Sequence, residues 1–136
     1  MNDDNFHFLA RDREYSPAAL YFQDIDSIEY VRSDVPCIHR RIDSILTLII
    51  EMDSREPIGF KVKGFRNFYL RLQRKCEESL GQEFIDVTKI LSEALSMLGN
   101  TVFEQSRNRE RQAYEEAIGI SATDEVKLKR PAGLVS

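Results

Sequence analysis

The chain has 136 residues, of which 42% are hydrophobic and 31% are charged. This size and balance are typical of one soluble globular domain and argue against a wholly disordered chain. The formal net charge of −4 gives no overall attraction to nucleic acid or to an anionic membrane. We therefore expect one domain over residues 1–120, followed by a mobile tail over residues 121–136.

The cysteines and the apolar runs indicate the cellular compartment in which the protein works. Cys37 and Cys76 lie far apart, without the CxxC spacing or neighbouring histidine pair of a zinc site, so we expect both to be reduced and structural. The start of the chain is acidic and lacks the apolar run of a secretory signal, and no apolar run is long enough to cross a bilayer. These features predict a cytoplasmic protein with no metal, no cofactor and no membrane partner.

Alternating apolar residues predict an antiparallel β-meander of three to five strands between residues 20 and 63. The strongest signal is a β-hairpin, in which two alternating runs flank a polar turn: Leu46, Leu48, Ile50 and Met52 before it, and Ile58, Phe60 and Val62 after it. Earlier strands are predicted at 20–23, 28–32 and 37–43, separated by turn residues. A sheet with one apolar face must pack that face against another element.

Past Gly64 the apolar period changes from two to nearly four, which predicts three helices. The first covers residues 65–80 and the second covers residues 83–98. The third covers residues 101–118 and begins at Thr101 and Glu104, which have the spacing of a capping box. The predicted fold class is α+β: an N-terminal antiparallel meander covered by amphipathic helices, with a C-terminal helical extension.

One stretch of the chain is strongly basic. Residues 57–76 contain no acid and six basic side chains: Lys61, Lys63, Arg66, Arg71, Arg74 and Lys75. Such a stretch is either an anion or nucleic-acid surface, or a solvated face whose charges pair with acids elsewhere. A helical wheel places the neighbouring aromatic residues on the buried side, where they cannot stack on bases. We therefore favour the solvated face and keep the nucleic-acid surface as the alternative.

The second predicted helix carries a narrow apolar stripe with heptad-like spacing. Together with the start of the third helix, it forms a candidate oligomer interface: Phe84, Val87, Leu91, Ala94, Leu98 and Phe103. Such a stripe buries itself either against the sheet of its own chain or against a second copy. Three helices are more than a four-stranded sheet needs as a cover, so we expect a homodimer.

Other chemistry-bearing residues do not form a recognisable catalytic set. His39 stands two residues from Cys37, but the pair lacks an orienting group and an oxyanion loop. Acidic pairs occur at Asp24 and Asp26, at Asp43 with Glu51, and at residues 77–78, and nothing in their spacing makes them converge. We expect Asp24 and Asp26 to form turn hydrogen bonds, and we predict no catalytic residue.

The central block is similar to a known type of domain. The segments Asp26–Val31, Arg41–Leu48 and Glu56–Gly64 resemble a family of small uncharacterised bacterial β-meander domains. The resemblance implies the fold and no activity. The leading hypothesis is therefore a non-enzymatic protein that acts through self-association or protein binding. The alternatives are a nucleic-acid-associated regulator that uses the basic face of residues 61–75, and a small-molecule or enzymatic pocket between sheet and helices.

Overall fold

The computed structural model describes residues 15–75, 83–98 and 104–132. Its strands and helices, in chain order, are β1 (Leu20–Phe22), β2 (Ser27–Val31), β3 (Cys37–Arg41), β4 (Leu46–Glu51), β5 (Pro57–Lys63), α1 (Phe65–Lys75), β6 (Phe84–Asp86), α2 (Val87–Ser96), α3 (Glu104–Asp124) and β7 (Lys127–Lys129). A single 3₁₀ turn, Gln23–Ile25, separates β1 from β2. The predicted α+β class is confirmed.

The first five strands form one antiparallel sheet in the order β1-β2-β5-β4-β3. Only β3, β4 and β5 follow one another as a meander. Strand β2 pairs with β5, so the chain crosses from one side of the sheet to the other between β2 and β3. Strands β6 and β7 form a separate two-stranded ribbon.

The three helices cover one face of the sheet, because the alternating residues of the central strands point to that side. Helix α3 contacts β4 and β5, α2 contacts α3, and α1 contacts α2. The residues of this core with the least exposed side chains are Ile28, Leu46, Leu48, Phe60, Val62, Phe65, Val87, Ile90, Leu91, Tyr114 and Ala117.

The second helix begins later than the sequence predicts. Residues 84–86 form β6, and α2 starts at Val87, where the Asp86 side chain accepts a hydrogen bond from the amide N–H of Thr88 at 3.0 Å. This is an N-cap, which the helical spacing alone does not locate. The first helix is predicted to end at residue 80 and the third to begin at residue 101, and both positions lie outside the described residues.

The C-terminal segment is part of the fold, where we expected a mobile tail from residue 121. Helix α3 continues to Asp124, and β7 then pairs with β6. The cause is burial, since Ile120, Ser121, Val126 and Leu128 all belong to the interior. A short alternating strand that packs through two side chains is too weak a pattern to be seen in the sequence.

The end of α3 is tied to the sheet by a charged contact. Arg32, just after β2, donates two hydrogen bonds to Asp124 at 2.9 and 3.0 Å, and the Tyr30 hydroxyl donates a third at 2.8 Å. The Arg32 hydrogen bonds, opposed by partial burial and helped by Tyr30, hold the pKa of Asp124 below its usual range. Burial and the hydrogen bond to Asp124 raise the pKa of Tyr30.

Candidate functional site

The sheet has a second face that no described helix covers. Directly paired residues of antiparallel strands project to the same side, so the strand register defines what this outer face displays. One row across it contains Leu20, Glu29, Lys61, Thr47 and Arg41, in that order. The next row contains Phe22, Ser27 and Lys63. Cationic and hydroxyl side chains are therefore neighbours on four different strands or their ends.

These rows border a shallow hollow, which we call the sheet depression. Its volume is about 210 Å³. It is lined by three cations (Arg41, Lys61 and Lys63), three hydroxyl residues (Ser27, Ser44 and Thr47), two isoleucines (Ile25 and Ile45) and Asp43. Ammonium, guanidinium and hydroxyl groups are all hydrogen-bond donors, and this combination suits an anionic group.

Ser27 is the most buried polar residue of the sheet depression. It is only 4% exposed, yet its hydroxyl has no hydrogen-bond partner anywhere in the described part of the chain. A buried hydroxyl without a partner is uncommon, because leaving it unsatisfied costs about 1–3 kcal/mol. A ligand oxygen in the depression would supply the missing partner.

A second hollow, which we call the edge depression, adjoins the first where β3 meets α3. It has a volume of about 340 Å³ and is lined by Arg40, Arg41, Ile42, Arg109 and Glu110. Arg41 belongs to both depressions, and its Nε atom donates to the backbone oxygen of Asp43 at 3.2 Å. That hydrogen bond positions the guanidinium between the two hollows.

Charge in the two depressions is strongly biased. Together they are lined by five cationic and two acidic side chains, a formal excess of three positive charges in a chain whose net charge is −4. Across residues 15–75, 83–98 and 104–132, none of the five cations forms an ion pair. Among the described residues, this excess charge is therefore directed at solvent or at a ligand rather than at acidic side chains.

The acidic side chains in this region have structural partners. Asp43 Oδ1 accepts hydrogen bonds from the amides of Ile45 and Leu46 at 2.8 and 2.7 Å, and Asp43 Oδ2 accepts one from the Tyr114 hydroxyl at 3.0 Å. Burial raises the pKa of Asp43, but hydrogen bonds with Glu110, the two amides and Tyr114 outweigh it and leave the pKa lowered. Asp43 thus shapes the β3–β4 loop, from which Arg41 is positioned.

The predicted basic face of residues 61–75 is divided in two by the fold. Lys61 and Lys63 line the sheet depression. On α1, Arg71 and Lys75 instead contact Glu93, whose carboxylate is 5% exposed, with N–O distances of 2.9 Å for both. This pairing is the one that we favoured for the whole stretch.

The two remaining members of the predicted basic face lie apart from the depressions. Arg66 has an exposed side chain at the start of α1, where its backbone amide donates to Asp26 at 3.1 Å. Arg74 is exposed near the end of the same helix. Neither residue lines a depression, so the six basic residues do not form one surface.

The stripe predicted as an oligomer interface is mostly internal. Val87, Leu91 and Ala94 are at most 1% exposed and belong to the chain's own core, and Leu98 is partly buried against it. Phe84 is 50% exposed, on β6 rather than on the helix. Phe103 lies outside the described residues. The heptad-like spacing of Val87, Leu91 and Ala94 reflects packing on α1 and α3, so these three residues are not free for an interface, and the homodimer stays a prediction.

The other residues considered in the sequence take ordinary places. Cys37 is partly buried and His39 exposed on the edge strand β3. Asp26 forms a turn contact, as expected, since its carboxylate accepts hydrogen bonds from the Tyr21 hydroxyl and the Arg66 amide. Among the described residues no group of three or more His, Cys, Asp or Glu side chains is placed to hold a metal ion.

The sequence interpretation missed Ser27, Arg40, Arg41 and Arg109 as site residues. One signal was available: with Lys61 and Lys63 outward on β5, the alternation of the hairpin also places Thr47 outward on β4. Arg41 and Ser27 then follow only from the pairing of β3 with β4 and of β2 with β5. Arg109 needs the position of α3, which no local pattern contains.

Comparisons with known proteins leave the function open. The chain matches no protein-family model, and searches of curated proteins and of solved structures found no match. The resemblance of residues 26–64 to bacterial β-meander domains therefore stays a prediction. Within the described residues, no helix combines the length and the hydropathy that a bilayer crossing requires.

Proposed function

We propose that this protein is a non-enzymatic binding module that holds a phosphate-bearing ligand on the outer face of its sheet. The observation that carries the proposal is the pair of adjoining depressions that share Arg41 and are lined by five cations without ion pairs in the described chain. Long-range repulsion between like charges makes such a cluster unfavourable for the free protein. A bound polyanion removes that cost.

The shape of the depressions favours a group that belongs to a larger ligand. At about 210 and 340 Å³ they are at or below the lower end of the range of pockets that enclose a whole small molecule, roughly 300–1,000 Å³. Both hollows lie at the surface, and Arg41 connects them. An extended ligand with more than one anionic group can occupy both, whereas a single compact anion fills only one.

The hydroxyl groups favour phosphate over a bare carboxylate. A phosphate presents three strong acceptor oxygens in different directions, and the sheet depression offers hydroxyls from β2, β4 and the β3–β4 loop in addition to its cations. The Ser27 hydroxyl is buried and has no partner among the described residues, so it gains most from a ligand oxygen. No acid–base pair or nucleophile with an orienting partner accompanies these donors in the described chain, and the proposal involves no bond cleavage.

A direct test is calorimetric titration with inorganic pyrophosphate at low salt. We expect wild-type protein to bind with an affinity that falls as salt rises, because counterions compete for the same cations. The double variant Lys61→Gln/Lys63→Gln should lose about tenfold or more of this affinity, since two contacts are removed. The control is Arg74→Gln/Lys89→Gln, which removes the same charge from exposed side chains away from the sheet depression.

The control decides between a site and a general charge effect. If both double variants lose affinity equally, the depressions are not the binding site. If wild-type protein binds neither pyrophosphate nor a longer polyphosphate at low salt, the proposed function is wrong.

A further inference from the structure

The sheet depression has an apolar border on one side. Leu20, Phe22 and Ile25 lie within six residues at the β1 edge and are 54%, 41% and 57% exposed. Ile25 itself lines the depression, and Phe22 pairs with Ser27, which pairs with Lys63. The aromatic ring therefore stands in the same outer-face row as a buried hydroxyl and a cation. Inorganic phosphate and polyphosphate contain no apolar or aromatic group that could pack on such a ring.

The combination of an exposed aromatic ring and a cationic track suits single-stranded nucleic acid. Cations hold the phosphates, while the ring offers a face on which an unpaired base can stack. The helix aromatics of residues 65–69 cannot do this, because they are buried in the core. A duplex fits less well, since its bases are stacked and paired and a ring lying on a sheet face cannot reach them.

The spacing of the strands sets the length of the bound segment. Neighbouring strands lie about 4.8 Å apart, so four intervals separate β1 from β3, a distance of about 19 Å. At the spacing of about 3.4 Å per nucleotide of a fully stacked strand, that distance corresponds to at most roughly six nucleotides, and a more extended strand needs fewer. Phe22 stands at one end of this path, Lys61 and Lys63 in its middle, and Arg41 at the far end, where the edge depression begins.

We infer that the phosphate-bearing ligand is a single-stranded nucleic acid segment that crosses the strands of the outer face, with one base stacked on Phe22 and its phosphates held by Lys63, Lys61 and Arg41. This inference rests on the proposed function, because the phosphate contacts are the same. It adds a contact to the base, which can be tested separately from the charge.

The test compares three labelled probes by fluorescence anisotropy at low salt: a twelve-nucleotide oligothymidylate, an abasic strand with the same number of phosphates, and a twelve-base-pair duplex. Wild-type protein should bind the oligothymidylate more tightly than either of the others. Phe22→Leu should weaken oligothymidylate binding about fivefold or more and leave abasic binding unchanged, because only the stacking partner is lost. Lys61→Gln/Lys63→Gln should weaken both.

A matched control comes from the second exposed phenylalanine of the described chain. Phe84 is 50% exposed on β6, away from the sheet depression, so Phe84→Leu makes the same chemical change at a different surface. It should leave all three affinities at the wild-type value. A circular dichroism melt of Phe22→Leu, together with its retained abasic binding, shows that the variant is folded.

The outcomes separate this inference from the proposed function. Two results would rule out the base contact and leave phosphate binding in place. In the first, the abasic strand and oligothymidylate bind equally and Phe22→Leu changes neither affinity. In the second, Phe22→Leu and Phe84→Leu have equal effects. Binding of pyrophosphate without binding of any strand would likewise rule out the base contact and leave phosphate binding in place. If neither pyrophosphate nor any strand binds, both proposals are wrong.

Discussion

Arg71 and Lys75 on α1 share one buried carboxylate, whereas Lys61 and Lys63 on β5 form no ion pair in the described part of the chain. The two pairs of cations lie within fifteen residues of each other in the sequence. Their difference arises from what is packed beside them. Helix α1 contacts α2, which supplies Glu93, while the outer face of β5 has no described helix over it.

The helix cations Arg71 and Lys75 stabilise the fold by compensating a buried carboxylate. A carboxylate that is only 5% exposed is unfavourable unless cations and hydrogen bonds compensate it. Burial raises the pKa of Glu93, and the hydrogen bonds from Lys75 and Arg71 overcome that effect, so the pKa is lowered overall. The strand cations Lys61 and Lys63 compensate no buried carboxylate among the described residues. The fold requires the first pair, whereas the proposed binding requires the second.

Displacement of β5 should have the largest effect, because this strand carries the strand cations outward and core residues inward. A Cβ atom at Gly59 would lie 2.2 Å from the Tyr30 backbone oxygen and 2.9 Å from the Val31 Cα atom of β2. Because both atoms are backbone, Gly59→Ala should destabilise the protein by about 3 kcal/mol or more, and pyrophosphate binding should fall with it. Urea unfolding monitored by circular dichroism measures the loss.

The control for this change is Gly119→Ala in α3, where a Cβ atom meets no other atom within 4 Å. Alanine is the better helix former, so this variant should be more stable than wild type by about 0.5–1 kcal/mol. A Gly59→Ala protein as stable as wild type would mean that β2 and β5 do not approach each other this closely.

Removal of the shared carboxylate should separate fold from binding. Glu93→Ala deletes the partner of Arg71 and Lys75 and should cost about 1–3 kcal/mol in urea unfolding, because charged hydrogen bonds are lost. Pyrophosphate affinity should stay at the wild-type value. Glu115→Ala, which removes an exposed carboxylate from α3, should change stability by less than about 0.5 kcal/mol. Equal effects of the two substitutions would show that the α1–α2 contact contributes nothing specific.

Acid should weaken the paired contacts. The pKa values of Glu93, Asp124 and Asp43 are lower in the folded chain than in free carboxyl groups, so their stabilisation is complete above about pH 4.5 and is lost as pH falls through the folded values. Each contributes at most about 1.4 kcal/mol per pH unit to this fall. The free energy of unfolding, measured in urea at pH 7, 5 and 3.5, should decline less steeply for Asp124→Asn than for wild type. Parallel curves would contradict this prediction.

Local pattern was sufficient for much of this molecule. The alternation of residues 46–62 predicts both strands of the hairpin, and the period of four after Gly64 predicts α1 with its buried aromatics. Val87, Leu91 and Ala94 are recognisable as one apolar stripe, but the same spacing serves a core or a dimer, and only the third dimension distinguishes them. The candidate site depends on register and on contacts such as Tyr114 with Asp43, 71 residues apart, which no spacing encodes.

The strand cations should contribute little to stability. Lys61→Gln/Lys63→Gln removes two cations that form no ion pair in the described chain, so the free energy of unfolding should change by less than about 0.5 kcal/mol. Lys61 has Glu29 beside it in the register, and loss of even a weak attraction between them stays within that limit. Combined with lost pyrophosphate affinity, such a result assigns the strand cations to binding alone. A loss of stability as large as that of Glu93→Ala would instead make them part of the fold, since cations that serve only a ligand do not stabilise the protein before it binds.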